Sequence, residues 1–320
     1  MLVGVQKAQM KYLNDLGVEA LLHKRWGEVI SSIENAFLDS SAKMIPKVYL
    51  DSHPQGDFRA MPAALGDYAC LKWIGVYPNN HLISSLPTTL GTLLLNDRET
   101  GKPLMAMDCT TLTAYRTAAT SAIAAKYCAP NNIREIVFVG CGLQAYYHFL
   151  AYRNVFPKIE IVSLFDKNKE AVTNLCKKLP KNINIIKYPV NIKEAVRNAD
   201  IITTLTPSTQ PYLDIRDVKS NCHINAIGGD AVGKRELMTN VIDGAADIIA
   251  DDPSQAFHSG ELQYNEWPDL SVSCFEELLK THENMQLDKG VSVFDSTGVA
   301  LEDIAVAILV YNLYQESRLK

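Results

Sequence analysis

Residues 135–145, Glu135-Ile136-Val137-Phe138-Val139-Gly140-Cys141-Gly142-Leu143-Gln144-Ala145, constrain the fold more than any other segment. An apolar run ends directly on Gly-x-Gly-x-x-Ala, and a helical pattern continues from it. The first glycine of such a loop makes the tight turn, the second lets backbone approach a pyrophosphate, and the small third residue allows close helix–strand packing. Free N–H groups at the start of the helix then face the negative charge. The loop therefore predicts a dinucleotide site built by Gly140, Gly142, Leu143, Gln144 and Ala145. A Rossmann-type domain must surround it.

The residues beyond the loop alternate as that domain requires. Strands are expected at Glu135 to Val139, Glu160 to Phe165, Asn184 to Lys187 and Ile201 to Thr204. Helices are expected at Leu143 to Asn154, Lys169 to Leu179 and Ile192 to Asn198, the last opened by a capping-box pair, Asn191 and Glu194. Apolar runs at His223 to Ile227 and Asp247 to Ala250 extend the pattern. Strands buried on both faces and separated by helices imply a doubly wound parallel sheet. Asp166 ends the second strand, where an acidic group accepts hydrogen bonds from ribose hydroxyls and repels a 2′-phosphate. NAD is favoured over NADP on that ground, although Lys167 and Lys169 stand nearby. Asp166 also suits a simple turn cap. Thr206 and Ser208 follow the Ile201 strand, at the sheet edge where ligands of open α/β folds bind.

The rest of the chain reads as an α+β block. It has an amphipathic helix from about Gly27 to Leu38 and strand-like runs at Lys47 to Asp51, Ala69 to Val76, Thr89 to Asn96 and Pro103 to Asp108. Asn96 to Pro103 forms a hairpin connection, with Asp and Gly in the turn. The Ala-rich segment Thr113 to Tyr127 predicts a long buried helix. Arg116 interrupts it, and a buried Arg needs a partner. A final helix runs from Val299 to Tyr314.

Bulk properties exclude several classes. A net charge of −5 without any dense basic run argues against nucleic acid. Seven scattered cysteines contain no Cys-x-x-Cys pair, and the histidines show no ligand spacing, so no metal is expected. Met1 to Gln6 lacks a leader pattern and no stretch is long and apolar enough for a bilayer. A cytoplasmic protein with a small-molecule partner is the expectation.

Several further segments carry a resemblance: Pro46-Lys47-Val48-Tyr49-Leu50, Asp57-Phe58-Arg59-Ala60-Met61-Pro62-Ala63, Leu71-Lys72-Trp73, Arg116-Thr117-Ala118-Ala119, His223 to Asp230 and Phe294-Asp295-Ser296-Thr297-Gly298. With the glycine loop they make the chain resemble the ornithine cyclodeaminase and μ-crystallin family, most closely its archaeal-type alanine dehydrogenase branch, over nearly the whole length. The resemblance implies a homodimer. It implies a discontinuous α+β substrate-binding and dimerisation domain, residues 1–115 and 299–320, beside a Rossmann domain of residues 116–298.

The resemblance also assigns roles. Lys47, Arg59 and Arg116 match the substrate-carboxylate residues, Lys72 and Asp230 the catalytic pair, and Thr117 joins the cofactor contacts. A planar guanidinium binds a carboxylate bidentately while an ammonium polarises the adjacent carbonyl or imine. A carboxylate shuttles protons while hydride moves. In the catalytic reading a flexible loop presents Asp230 to the nicotinamide face; taken singly, Lys47 and Arg59 suit solvated side chains, and Asp230 suits a turn after two glycines. Cyclodeaminases carry an acidic residue two before the Met-Pro pair, where this chain has Arg59. That departure favours dehydrogenation of a small L-amino acid, alanine first, over ornithine cyclodeamination or reduction of a cyclic ketimine. A non-catalytic nicotinamide-binding protein like μ-crystallin is the reading from another class.

Overall fold

The computed structural model describes residues 10–53, 56–83, 86–181, 183–264, 270–281 and 290–319. Met1 to Gln6, read above as lacking a leader, lie outside them. The chain divides into two units. One comprises the residues up to Arg25, Asp39–Thr113 and Ala300 onward; the other comprises Trp26–Leu38 and Ala114–Val299.

The first unit is built on a seven-stranded sheet, counted among the described residues, of β1 Lys11–Leu13, β2 Lys43–Met44, β3 Val48–His53, β4 Gly56–Leu65, β5 Tyr68–Val76, β6 Thr89–Asp97 and β7 Pro103–Asp108. The order is β1-β7-β6-β5-β4-β2, with β3 also on β4. All pairs are antiparallel except β1 with β7. β4 was not expected as a strand, since Pro62 breaks its sequence pattern; its neighbours on both sides supply the pairing. The helix Asp15–Leu22 also lacked a strong signal, and Asn14 caps it by accepting the Gly17 N–H at 2.9 Å.

Register decides what each face of this sheet carries. Met61, Lys72, Leu93 and Met107 stand in one row across four strands, and all four are buried. The helix Ala300–Ser317 covers that face, with Tyr311 edge-on to Tyr68 and Asp303 bonded to Lys72. On the opposite face Trp73 stacks on Phe58 at 5.3 Å between ring centroids. Val48, Leu50, Leu71 and Trp73 are nevertheless exposed there.

The second unit carries an all-parallel sheet of β8 Glu135–Val139, β9 Ile161–Phe165, β10 Ile185–Lys187, β11 Ile201–Thr204, β12 Cys222–Ala226, β13 Asp247–Ala250, β14 Ser273–Cys274 and β15 Val291–Asp295. Its order is β10-β9-β8-β11-β12-β15-β13-β14. The direction of winding reverses between β8 and β11, the switch point at which open α/β sheets bind ligands. This is the doubly wound sheet that the alternation predicts. The helix Trp26–Leu38 packs here, through Trp26 stacked on Tyr115 and Phe37 edge-on to Phe275. The expected division ran residues 1–115 unbroken. Those aromatic contacts are why this helix separates from its sequence neighbours.

Two buried histidines are structural. His148 bonds to Ser121 Oγ at 3.0 Å and the Gln144 carbonyl at 2.8 Å; His223 bonds to Ser292 Oγ at 2.8 Å and Asn225 Oδ1 at 3.1 Å. Burial lowers both to about 4, so near neutral pH the neutral ring of His148 ties two helices together and that of His223 ties two strands. Asn225 and Tyr152 complete the network through a 2.8 Å bond. Among the described residues no helix is long and apolar enough to cross a membrane.

Candidate active site

The glycine loop has the geometry a pyrophosphate needs. Gly140 sits at φ +98, and a Cβ there would stand 2.8 Å from the Leu205 carbonyl, so only glycine fits both the conformation and the space. Its N–H donates to the Phe165 carbonyl at 2.8 Å, closing the loop against β9. Gly142 is the N-cap of the helix Leu143–Val155 with no side-chain cap, and a Cβ there would meet nothing within 4 Å. The helix start is thus bare and approachable. Ala145 is fully buried, Leu143 is half exposed, and the buried Gln144 Oε1 accepts no hydrogen bond among the described residues. An open cradle beside uncapped N–H groups fits a dinucleotide phosphate.

Asp166 is more than a ribose candidate. One carboxylate oxygen accepts the Cys141 N–H at 2.8 Å and the other the Asn168 N–H at 2.8 Å. It holds the glycine loop and caps the next turn, and each oxygen keeps a second lone pair. Ser208 Oγ, by contrast, donates to the Gln210 carbonyl at 2.8 Å and accepts its N–H at 3.2 Å, closing its own turn. Thr117 is buried.

The edges of β11 and β12 are joined by acidic side chains that sequence reasoning missed. Thr206 donates to Glu236 Oε1 through its backbone N–H at 2.7 Å and its hydroxyl at 2.5 Å, and Tyr212 donates its hydroxyl to the same oxygen at 2.6 Å. The other oxygen, Oε2, accepts the Gly228 N–H at 2.9 Å. Glu261 accepts the backbone N–H groups of Glu236 and Leu237 at 2.8 and 3.0 Å. Burial, then the charge of Glu236, pushes Glu261 up to about 8. Burial likewise raises Glu236, and raises Asp295 further with the help of Glu261.

Asp230 emerges from this region half-buried, bonded to Lys234 Nζ at 2.5 Å. The pair is four residues apart and outside any helix, so only the loop brings it together. A Cβ on Gly228 would stand 2.2 Å from the Thr206 carbonyl, and one on Gly229 would stand 2.5 Å from Glu261 Oε1. Neither glycine has positive φ. Both are there because the space is taken, and the loop is closely packed.

Arg116 is 7% exposed, and its guanidinium lies where a Gly298 side chain would stand, 2.5 Å from that Cβ position. The Gly298 backbone is itself fixed by buried Asp251, which accepts the Gly298 N–H at 2.6 Å and the Ser296 hydroxyl at 3.0 Å. A buried carboxylate therefore supports the loop on which the arginine rests.

In the first unit Arg59 and Lys72 share the buried sheet face on neighbouring strands. Arg59 stands opposite Ile74, and Lys72 opposite Met61, which makes them diagonal neighbours. Arg59 donates to Asp57 through Nε at 2.6 Å and lies over the Tyr49 ring at 5.3 Å. Lys47 immediately precedes β3 and is half-buried. Lys72 is ion-paired with Asp303 at 2.7 and 2.8 Å, both side chains essentially unexposed. Asp303 was not singled out, though a signal existed: Glu302 and Asp303 interrupt an otherwise apolar helical run, and buried acids need partners. The buried carboxylate of Asp303 also helps raise the Cys70 thiol to about 12, after burial itself.

With this geometry in hand, comparison with known proteins is decisive for the family. The family model of the ornithine cyclodeaminase/mu-crystallin family matches residues 6–318. The chain belongs to this family. It is 37% identical over 295 residues to an alanine dehydrogenase of Archaeoglobus fulgidus, covering 89% of each chain. Among solved structures, an archaeal alanine dehydrogenase dimer with bound NAD superposes with a TM-score of 0.88 at 36% identity, over 97% of each chain. The Thermococcus litoralis Δ1-pyrroline-2-carboxylate reductase, in complex with NADH and L-proline, gives a TM-score of 0.89 at 27% identity, covering 96% of this chain and 98% of that one. Membership carries the two-part fold of the family. It leaves the reaction to be argued from the side chains.

Proposed function

We propose that this protein is an NAD-dependent dehydrogenase of a small L-amino acid, with alanine the first candidate, and that the reaction is reversible. The observation that carries this reading is Arg59, a cation buried to 3% exposure on the same sheet face as Lys72. A side-chain ammonium such as that of ornithine would meet there a cation whose counter-charge, Asp57, is already engaged at 2.6 Å, and the like charges repel. Small uncharged side chains meet no such penalty. Similarity to the archaeal alanine dehydrogenase supports the same choice.

NAD, when bound, supplies the hydride acceptor. The bare helix start at Gly142 would hold the pyrophosphate, and Asp166, with a lone pair remaining on each oxygen, would accept from ribose. Arg59, Lys47 and Arg116 are read as carboxylate ligands. Lys72, kept beside Asp303, polarises the reacting carbon centre. Asp230 takes the proton released as water adds to the imine and returns it to the departing ammonia, with Lys234 orienting its carboxylate. The exposed apolar sheet face around Leu71 and Trp73 is read as the interface of a homodimer, since a patch of this kind marks an association surface. Seven free thiols suit the reducing cytoplasm.

The test is a nicotinamide absorbance assay with small L-amino acids and with keto acids plus ammonia, with ammonia release measured in parallel. Alanine should give NADH and ammonia in equal amounts. Ammonia from ornithine without net NADH would replace this reading by cyclodeamination. Tight NAD binding without turnover of any of these substrates would make the protein a binding protein.

A further inference from the structure

Two glycines precede Asp230, and two glutamates are buried against them. Glu236 and Glu261 are 0% and 2% exposed, and carboxylates are buried at a heavy cost unless hydrogen bonds compensate. Here the bonds are present and are directed at two loops. Glu236 takes three donors on Oε1 from Thr206 and Tyr212, and takes the Gly228 N–H on Oε2. Glu261 fixes the Glu236 backbone from behind. Thr206 and Gly228 each lie two residues past the ends of β11 and β12, which are parallel neighbours. Gly228 and Gly229 are the residues that allow the backbone to approach these carboxylates.

We propose that Glu236 is a positioning residue for the reaction: backed by Glu261, its carboxylate clamps the loop that ends in Asp230 to the loop that carries Thr206, and so presets the direction of the Asp230 carboxylate. This rests on the reading of Asp230 as the proton carrier. The clamp acts on the chemical step more than on cofactor affinity, because a displacement of about 1 Å in a catalytic group costs up to ~100-fold in rate.

Glu236→Gln separates the two sides of the clamp. An amide has one acceptor oxygen, and the three donors from Thr206 and Tyr212 hold it on their side. The NH2 group then faces the Gly228 N–H, and two donors repel. Gly228 retains its 3.1 Å bond to the Thr204 carbonyl, so the loop shifts without unfolding.

The experiment measures kcat with alanine and NAD, the Kd of NAD by fluorescence, and amide hydrogen exchange by mass spectrometry across residues 226–231, in wild type, Glu236→Gln and Asp230→Asn. The expected result is slow exchange in the wild-type segment and faster exchange in Glu236→Gln. That variant should lose about 30- to 100-fold in kcat while its NAD Kd stays within about threefold. A merely structural role would weaken NAD binding and turnover together, and that outcome overturns the proposal. Rapid exchange of the segment in wild type also overturns it, without any variant needing to fold. Full turnover by Asp230→Asn defeats the reading of Asp230 instead, and the exchange data still decide whether the clamp exists. Unchanged exchange and kcat in Glu236→Gln, beside an inactive Asp230→Asn, defeat the clamp and leave that reading standing.

Discussion

Asp303→Asn is the most direct test of how the first unit holds its lysine. Lys72 lies in a row with Met61, Leu93 and Met107, and its ammonium meets Asp303 at 2.7 Å with both side chains at 0–1% exposure. Asparagine keeps the shape and removes the charge, so packing changes little. Removing one partner of a buried ion pair leaves an uncompensated charge and costs about 3–5 kcal/mol. At roughly 4 °C per kcal/mol, where the ranges for smaller and larger domains meet, the melting temperature falls by about 12–20 °C. The assay is thermal and urea unfolding followed by circular dichroism. It includes Lys72→Met/Asp303→Asn, in which both charges are gone. That double variant should recover about 2 kcal/mol or more relative to Asp303→Asn, the signature of a coupled pair. A loss below about 1 kcal/mol in Asp303→Asn, or no recovery in the double variant, refutes the argument from an uncompensated buried charge.

Other outcomes follow from single features. Gly140→Ala combines positive φ with overlap at the Leu205 carbonyl; strain of about 1–3 kcal/mol should weaken NAD binding at least about tenfold, checked by calorimetric titration. Unaltered affinity would mean that the loop does not carry the pyrophosphate. Trp73→Glu should turn the proposed dimer into a monomer in light scattering, because a charge would stand on the exposed apolar face; an unchanged dimer would move the interface elsewhere. The pH dependence of stability has two limbs. His148 and His223, lowered to about 4, bind protons more weakly folded than unfolded, so stability falls as pH drops from about 6.5 to 4. Glu261, raised to about 8, keeps a proton that the unfolded chain releases, so stability falls as pH rises from about 4.3 to 8, by at most ~1.4 kcal/mol per unit. Asp295 and Glu236 are raised too and act in the same direction. Above pH 6.5 only this second limb operates, and Glu261→Gln should lessen the decline to pH 8 by about 1 kcal/mol or more in urea titrations. The same decline in both proteins would exclude Glu261 as its source.

The sequence by itself determined the nucleotide unit. A strand ending on Gly140, a small residue at Ala145 and regular alternation of apolar runs are local signals, and the parallel sheet, its switch point and the bare helix start follow from them. Arg116 was also legible, since a cation within an Ala-rich helix demands a partner. The tertiary structure decided what the first unit does with its residues. β4 escaped notice because Pro62 disrupts its pattern and only its neighbours make it a strand. The row that buries Lys72 between Met61 and Leu93 exists only once three strands are in register, and its partner Asp303 is 231 residues away in sequence. The supports of Asp230 were hidden for the same reason. Glu236 and Glu261 read as ordinary surface acids until the loops at the ends of β11 and β12 close over them. Periodicity reports which face of an element is buried, whereas a long-range pair between two charged groups leaves no periodic trace and takes shape only when packing removes the water between them.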